Sequence, residues 1–329
     1  MLYKDLEIVY TEIFYDKVLP YLKRKIVEDY YSEPVFYLLK NLKINRFRSG
    51  LPILIGKAYG VDESLMLPLS AFCEVTFTTA MAQDDFYDND DRREGIEAAH
   101  KRFGVERTLL SCDYVNCKMT QILQEDLLKN GAPLDKVSEV LSIMNLGLSQ
   151  AYKSVLMEYF SKTNLSEMNE NLLKQIYLNK TVHGRILLEC VFILVEEKTE
   201  IIDSIRKYSE FLAIAGQLKN DIYDYVKHQK YRGFSDLKQG HITWPLYILI
   251  RDLTEEQKMI VFNDLSNQRY DNLIKALKEA GVIQKTIDLM GFFISEAKKI
   301  SLEGIPKEIK EILVLWADGN KDFSKEPKL

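Results

Sequence analysis

The sequence predicts an all-α protein built as one large helical bundle. Apolar residues make up 47% of the 329 residues, which is enough for a sizeable core and excludes global disorder. Glycine and proline are few, about 7% of the chain against roughly 12% in average proteins, which disfavours a sandwich or barrel with many turns. No Ser/Gly linker, low-complexity segment or internal repeat divides the chain. Residues 1–329 are therefore predicted to form a single domain.

Helical periodicity, with apolar residues three or four positions apart, recurs along most of the chain. It predicts an opening helix near residues 2–14, later helices near 109–123 and 137–152, and a long apolar helix over residues 64–82. The long helix is apolar enough for a membrane span, but it contains Pro68 and Glu74, so a buried central helix is the favoured interpretation. Polar residues after about 318 are predicted to fray. Short breaks are predicted at residues 31–34, 48–52, 88–95, 130–133, 162–170, 231–243 and 303–306.

The net charge and the cysteines indicate which binding partners and which cellular compartment to expect. A net charge of −5 without a concentrated basic block disfavours nucleic acid, although an acidic protein can bind an anionic substrate through metal ions. The cysteines form no CxxC pair and are predicted to be reduced, buried thiols of a cytoplasmic protein. The N-terminal residues lack the apolar segment of a signal peptide, and no transmembrane segment is predicted.

The strongest functional signal is an acidic cluster directly after the long apolar helix. On a helix, Asp84 and Asp88 are four positions apart and project from one face, with Asp85 beside them. Such like charges destabilise an isolated helix, whereas grouped carboxylates are ligands that Mg²⁺ prefers. The alternative is a solvated acidic turn in which Arg92 and Arg93 are surface ion-pair partners.

A second group of oxygen-bearing side chains follows another apolar helix. Its members are three or four positions apart and share one helical face: Gln217, Asn220, Asp221 and Asp224. Two such faces can oppose each other across a bundle and hold several divalent ions, which would neutralise a bridging diphosphate. The presence of both clusters favours a metal site over two unrelated acidic turns.

Basic and polar residues suited to a diphosphate lie near both clusters. They are Arg92, Arg93, Lys180, Thr181, Lys238 and His241. Arginine binds phosphate through a planar pair of donors, and Lys180 within its helix is either a surface lysine or a phosphate ligand. The histidines lack metal-ligand spacing, and the GxSxG, GxGxxG and GxxxxGK[ST] motifs do not occur in the sequence.

In combination, these residues resemble the trans-isoprenyl diphosphate synthases, all-α enzymes of the class I terpenoid-synthase fold. The segment EVTFTTAMAQDDFYDNDDRREGIEAAHKRFG resembles the family's first aspartate-rich region, in which arginines, a His and a basic-aromatic-Gly run follow DDxxD. YLNKTVHGRILL is similar to its Lys-Thr helix, and QLKNDIYDY with RGFSDLKQGHITWPL is similar to its second motif and following loop. The matches follow the family's order between residues 50 and 246.

The resemblance implies a role for each group and a central active-site cavity. Its metal-site residues are Asp84, Asp85, Asp88, Asn220, Asp221 and Asp224, with Mg²⁺ as the cofactor and three ions expected. The catalytic residues are Asp84, Asp85, Asp88, Lys180 and Asp221, and substrate-binding residues around the allylic diphosphate are Arg92, Lys180, Thr181, Gln217, Lys219, Lys238 and His241. Arg93 belongs to the site for isopentenyl diphosphate. The cations stabilise the departing diphosphate and an apolar pocket shields the allylic cation. A homodimer is the implied assembly.

The sequence departs from the family pattern at several positions. A GGKRxRP-like stretch normally precedes the first motif, but the region reads NRFRSGLPILIG and leaves Arg46 and Arg48 as approximate substitutes. Asn220 stands where the family has Asp, His241 where it has Lys, and Phe77 where it has His. These changes weaken the expectation that a second diphosphate binds.

Alternatives to chain elongation therefore stay open. The Asn-Asp pair of the second motif is also typical of terpene cyclases, although their pattern has Ser or Thr and Glu where Asp224 and His228 stand here. The same pair is found in prenyltransferases that modify another acceptor, such as a peptide. A third hypothesis is a non-catalytic partner subunit, which the intact DDxxD motif disfavours.

The face of the apolar helix below the first cluster predicts a deep pocket. Ala80, Thr76 and Cys73 lie about one, two and three turns before Asp84 on the same face. Because the first turn carries small side chains, a growing prenyl chain meets no aromatic ring there. Phe77 is the candidate residue for the bottom of the pocket. We therefore expect a substrate or product of at least about fifteen carbons.

Overall fold

A computed structural model describes residues 3–163, 168–226, 235–241 and 243–319 of the chain. Within these ranges the protein is almost wholly helical, which confirms the all-α prediction. The helices are α1 (Tyr3–Ile13), α2 (Leu19–Lys25), α3 (Glu33–Asn41), α4 (Phe47–Ala58), α5 (Glu63–Tyr87), α6 (Ala99–Phe103), α7 (Val105–Lys129), α8 (Leu134–Thr163), α9 (Glu170–Lys180), α10 (Val182–Leu194), α11 (Thr199–Val226), α12 (Ser235–Lys238), α13 (Trp244–Ile250), α14 (Glu255–Ser266), α15 (Tyr270–Glu279), α16 (Val282–Lys299) and α17 (Lys307–Gly319). A π-helical turn, Phe14–Val18, joins α1 to α2.

Most of the predicted breaks coincide with connections between helices. The segment 88–95 includes β1 (Arg92–Arg93), which forms a two-stranded antiparallel hairpin with β2 (Ile96–Glu97), and these are the only strands of the described residues. The break predicted at residues 48–52 is wrong, because these residues lie inside α4 and are buried. Tertiary packing outweighs the local preference there. The breaks predicted at 162–170 and 231–243 lie partly outside the described residues, and so do His228 and the tail beyond 319.

A close helix–helix approach explains why α4 carries a glycine. A Cβ atom added at Gly50 would lie 2.1 Å from Cδ1 of Tyr10 on α1, which is far inside van der Waals contact. The glycine therefore permits α1 and α4 to pack together, and its presence does not signal a turn.

The chain divides into two compact units, each made of separate segments. Unit 1 comprises Met1–Leu148, His183–Arg206 and Leu302–Trp316. Unit 2 comprises Ser149–Val182, Lys207–Ser301 and Ala317–Leu329. The chain passes from one unit to the other within α8, α11 and α17, so neither unit is a continuous length of sequence. The single domain stays a prediction.

The core of unit 1 forms around α5, which packs against α4 and α7. The Asp62 carboxylate caps this helix by accepting the N–H of Ser64 at 2.8 Å. Among the described residues, α5 is the one helix long and apolar enough to cross a membrane, with a mean hydropathy of 1.4. Because 72% of its most apolar window is buried inside the protein, the structure supports a core helix at this position.

The core of unit 2 contains α13, which packs against α15 and α16. Phe211 and Phe293 add an aromatic contact with ring centroids 6.3 Å apart. The cysteines are free thiols. Cys73, Cys112 and Cys190 are buried as expected, but Cys117 is exposed, since it lies on another face of α7 than Cys112.

Candidate active site

The first acidic cluster lies at the carboxyl-terminal end of α5, in unit 1. Asp85 is fully buried, the side chain of Asp84 is 30% exposed, and Asp88 is the residue at which the helix ends. The end of a helix carries partial negative charge, so carboxylates are unfavourable there without a nearby cation. The position that the sequence predicted for the cluster is confirmed, and its burial requires a counter-charge.

Arg93 of the β1–β2 hairpin supplies that counter-charge. Its Nε donates to Oδ1 of Asp85 at 2.5 Å and its Nη2 donates to Oδ2 of Asp84 at 2.9 Å. Burial alone would lower the pKa of the guanidinium, but the two carboxylates raise it above its usual value. Arg92 is exposed and donates to the Gly95 carbonyl at 2.6 Å. The two neighbouring arginines therefore have different surroundings.

The helical face below this cluster matches the predicted pocket lining in part. Ala80 and Phe77 are half-buried, whereas Thr76 and Cys73 are buried within the core of unit 1. Of the stripe predicted from helical spacing, only the two half-buried side chains are accessible. The guanidinium of Arg48 lies over the Phe77 ring, 3.2 Å from its centroid.

The surroundings of Arg48 are unusual for an arginine. It is 7% exposed, and burial lowers its pKa to about 10. The Phe77 ring also lies 6.1 Å from the ring of His183, and burial together with the Arg48 charge lowers the pKa of His183 to about 4. Arg48, Phe77 and His183 thus form a tightly packed group with two basic side chains, one of them uncharged at neutral pH.

Arg46, the other expected substrate ligand of this region, is inside the protein. It is 1% exposed, pairs with the fully buried Glu74, and donates through Nη2 to the carbonyls of Leu39 at 2.8 Å and Leu42 at 2.9 Å. Ser49 also donates to Glu74, at 2.8 Å. This arrangement corrects the expectation from the sequence, because a guanidinium satisfied by internal partners serves the packing of the core.

The second cluster lies on α11 in unit 2, and Asp221 is its most constrained member. Asp221 is 1% exposed, and its Oδ2 accepts hydrogen bonds from the Tyr177 hydroxyl and from the Trp244 N–H at 3.2 Å. Gln217 donates to Oδ1 at 3.2 Å. Burial, with a smaller contribution from Asp236, raises the pKa of Asp221 to about 8. Asp221 therefore connects α11 to α9 and to the start of α13.

The other predicted residues of unit 2 have separate environments. Asn220 is exposed, and Asp224 is half-buried and accepts the Asp236 N–H at 3.2 Å. Lys219 donates to the Gly319 carbonyl at 2.6 Å, at the end of α17. Two further residues face elsewhere: the Thr181 hydroxyl donates to the Tyr177 carbonyl at 2.6 Å, and Lys238 is exposed at the end of α12.

A polar cavity in unit 2 brings together four of the predicted residues and several that the sequence did not indicate. Its lining consists of Glu158, Ser161, Tyr177, Lys180, Gln217, Asp221, Asp236, His241 and Thr243. Lys180 donates to Oε1 of Glu158 at 2.8 Å, and Nδ1 of His241 lies 3.7 Å from the same oxygen. Although burial would raise the pKa of Glu158, the charges of Lys180 and His241 lower it to about 2.

Glu158 is the most informative residue that the sequence analysis missed. It is a single acid in the apolar stretch VLMEYF of α8, at a distance of 22 residues from Lys180. A charged residue in an apolar stretch is a signal, but its partner follows from the packing of α8 against α9.

The donor chemistry of these acids fits Mg²⁺, since carboxylate oxygens are its preferred protein ligands. In the part of the chain that the structure describes, however, no three acidic, histidine or cysteine side chains are grouped as a metal site. Arg93 bonds two of the carboxylates at the end of α5, and three donors surround Asp221. The residues present therefore fit the ion by chemistry, and a change of side-chain position must accompany binding.

Comparisons with known proteins place the chain in a family. An octaprenyl diphosphate synthase of Escherichia coli is 23% identical over 238 residues, which cover 71% of each chain. A geranylgeranyl diphosphate synthase of Saccharolobus solfataricus is 23% identical over 216 residues, covering 64% of this chain and 63% of that protein.

Solved structures show the same fold. A decaprenyl diphosphate synthase from Rhodobacter capsulatus superposes with a TM-score of 0.84 at 16% identity, over 99% of this chain and 100% of that one. A geranylgeranyl pyrophosphate synthetase from Pyrococcus horikoshii superposes with a TM-score of 0.80 at 18% identity, over 97% and 99% of the two chains. The polyprenyl synthetase family model matches residues 28–280, which is most of the sequence. The chain therefore belongs to the polyprenyl synthetase family.

Proposed function

We propose that this protein is a Mg²⁺-dependent trans-prenyltransferase that condenses an allylic prenyl diphosphate with isopentenyl diphosphate. The product would be a polyprenyl diphosphate of fifteen carbons or more. The observation that carries the proposal is the cluster of Asp84, Asp85 and Asp88 followed by two arginines, in a chain of the polyprenyl synthetase family. The relatives named as octaprenyl and geranylgeranyl diphosphate synthases support this substrate class.

The metal ligands that we propose lie on two helices, at the end of α5 in unit 1 and on α11 in unit 2, and three Mg²⁺ ions are expected in all. Bound Mg²⁺ would neutralise the diphosphate and stabilise it as a leaving group. Asp84, Asp85, Asp88 and Asp224 supply carboxylates for this role, with Asn220 as an amide ligand. Asp221 is a further carboxylate ligand that we propose on α11, where it accepts hydrogen bonds from Tyr177, Gln217 and Trp244.

Cationic side chains would bind the diphosphate and assist its departure. Lys180 lines the polar cavity of unit 2 and is held by Glu158, while His241 lies beside the same carboxylate. Exposed Arg92 has donors suited to a phosphate group. Half-buried Ala80 and Phe77 would contact the prenyl chain, where apolar side chains exclude water from the allylic cation.

A second function is favoured by the positions of Arg46 and Arg48. According to the family resemblance, these two arginines stand in place of the basic GGKRxRP-like stretch, which binds isopentenyl diphosphate. Arg46 pairs with Glu74 inside the core and Arg48 is buried against Phe77. This arrangement supports an enzyme that ionises the same allylic diphosphate but passes the cation to the substrate itself or to another acceptor, such as a peptide.

One incubation distinguishes these functions. Purified protein is given Mg²⁺ and farnesyl diphosphate, with and without isopentenyl diphosphate, and the products are identified by mass spectrometry. Elongated diphosphates that require both substrates are the expected result. Hydrocarbons or alcohols formed from farnesyl diphosphate alone would establish the second function. The absence of any turnover in either mixture would contradict chain elongation and favour a non-catalytic partner subunit. Asp84→Asn is the control that should abolish metal-dependent turnover.

We also propose a cytoplasmic homodimer with no nucleic-acid partner, in keeping with the net charge of −5. Support for the dimer comes from an exposed apolar area of unit 1, the tyrosine patch, which consists of Val27, Tyr30, Tyr31, Leu110 and Tyr114. Tyr31 makes edge-to-face contacts with Tyr30 and with Tyr114, with ring centroids 5.6 and 6.4 Å apart. Exposed apolar side chains grouped in this way are typical of a contact surface. A second copy of this chain is the partner that we propose for it.

A further inference from the structure

The end of α5 presents an electrostatic problem that Arg93 solves. Two adjacent carboxylates, Asp84 and Asp85, lie where the helix carbonyls already carry partial negative charge, and Asp85 has no solvent exposure. A buried carboxylate without a cation is costly, so this site needs a positive group at all times.

The guanidinium of Arg93 is placed to satisfy both carboxylates at once. Nε donates to Asp85 and Nη2 to Asp84, and the Arg93 side chain is only 12% exposed. The hairpin makes this possible, because its register pairs Arg93 with Ile96. Glu94 and Gly95 in the turn have φ values of 48° and 85°, the left-handed conformation that returns the chain sharply.

The oxygens that Arg93 contacts are the ones that the proposed function assigns to Mg²⁺. A carboxylate oxygen whose lone pair accepts a guanidinium N–H at 2.5 Å cannot direct the same lone pair to a metal. The two cations therefore compete for Asp84 and Asp85. Because Mg²⁺ must displace Arg93, the free energy of the arginine-bound state opposes metal binding. The apparent affinity for Mg²⁺ is lower by that amount.

We propose that Arg93 is a built-in counter-ion that holds Asp84 and Asp85 in the metal-free protein, leaves them when Mg²⁺ binds, and thereby sets the Mg²⁺ concentration at which the site fills. This inference rests on the proposed function, because it takes the metal site as given. It assigns Arg93 a positioning role in the metal-free state that is additional to any contact with a second substrate. Arg93 is therefore released from the carboxylates, and its guanidinium becomes available beside the site, only after Mg²⁺ has bound.

Arg92 provides a matched control within the same strand. It has the same charge and lies one residue away, but it is exposed and its hydrogen bond goes to the Gly95 carbonyl. Arg92→Gln and Arg93→Gln therefore change the net charge of the hairpin equally. Only Arg93→Gln removes a bond to the acidic cluster.

The test measures metal binding without substrates, so it does not depend on activity. Isothermal titration calorimetry with MgCl₂ compares the parent protein, Arg93→Gln and Arg92→Gln at constant ionic strength. We expect the Kd for Mg²⁺ to fall at least tenfold in Arg93→Gln and to stay within about twofold of the parent value in Arg92→Gln. In thermal unfolding, Arg93→Gln should be less stable than the parent without metal, and Mg²⁺ should raise its Tm more than it raises that of the parent.

Equal Mg²⁺ affinity in the parent and Arg93→Gln would overturn the inference. If Arg93→Gln does not fold without metal, Arg93→Lys replaces it, since an ammonium cannot bond both carboxylates in the planar geometry of a guanidinium. An unchanged Kd in Arg93→Lys would then overturn the inference. Adding Asp84→Asn to the arginine variant separates this inference from the metal site itself. If that double variant still binds Mg²⁺ as tightly as the single one, the proposed metal site is wrong, whatever the role of Arg93.

Discussion

Replacing Glu158 with glutamine removes one negative charge from the polar cavity of unit 2 while keeping the size of the side chain. The carboxylate accepts a hydrogen bond from Lys180 at 2.8 Å, has His241 at 3.7 Å and is 15% exposed. Lys180 and His241 lower its pKa from the usual 4.5 to about 2, against the effect of burial. Because each unit of pKa corresponds to about 1.4 kcal/mol, the charged form is stabilised by roughly 3 kcal/mol, and Glu158→Gln should lose about 2–3 kcal/mol at pH 7.

The sign of the pH dependence follows from the lowered pKa. A carboxylate of this kind contributes its full stabilisation above about pH 4.5 and loses it as the pH falls toward 2. The stability difference between the parent and Glu158→Gln should therefore shrink as the pH falls below about 4.5. Glutamine does not titrate, so the variant itself lacks this contribution at every pH.

Tryptophan fluorescence can follow unit 2 separately, because the chain has two tryptophans and one lies in each unit. In a Trp316→Phe background, Trp244 alone reports urea unfolding of unit 2. Glu189→Gln in unit 1 is the matched control, followed through Trp316 in a Trp244→Phe background, because its side chain is also 15% exposed and accepts from Arg206 at 2.7 Å. Since Arg206 is 41% exposed, this control should cost no more than about 1 kcal/mol. A Glu158→Gln effect no larger than the control, or one that persists unchanged at pH 3, would refute the reasoning.

Three further changes test the substrate pocket, the phosphate loop and the assembly. Ala80→Phe places a ring about one turn below the first cluster, so chromatography of the products should show shorter chains, and an unchanged distribution would mean that this face does not line the pocket. His241→Lys makes the positive charge independent of pH and should lower KM for the allylic diphosphate above about pH 7.5, whereas an unchanged KM from pH 6 to 9 would assign His241 to packing. Leu110→Arg introduces a charge into the tyrosine patch and should convert a dimer to a monomer in light scattering at micromolar concentration, with Leu134→Arg, an equally exposed leucine outside the patch, as the control.

Hydrophobic periodicity and residue spacing predicted the helices and the place of the acidic cluster, because both are properties of short sequence segments. The apolar run before Asp84 forms α5, and the acids at its end lie where four-residue spacing put them. The break predicted near Pro52 failed since the packing of α4 between α1 and α5 outweighs the local preference of proline and glycine.

The interactions of the charged residues could not be predicted in the same way. Arg46 was an expected substrate ligand, yet it pairs with Glu74, whose place on α5 is 28 residues further along the chain. Glu158 and Tyr177 line the polar cavity because α8, α9 and α11 meet there within unit 2. Such partners follow from tertiary packing, and a single sequence carries no record of which distant residues meet.

The apolar character of α5 has a consequence for synthesis of the protein on the ribosome. Most of its surface is covered by α4, which precedes it, and by α7, whose last residue is Lys129. At about 5–20 residues per second, α7 is completed roughly 2–8 seconds after α5. During that interval a helix with the hydropathy of a membrane span has only part of its cover. Binding of a chaperone to nascent chains from which α5 has emerged but α7 has not, and its release from longer ones, is therefore to be expected.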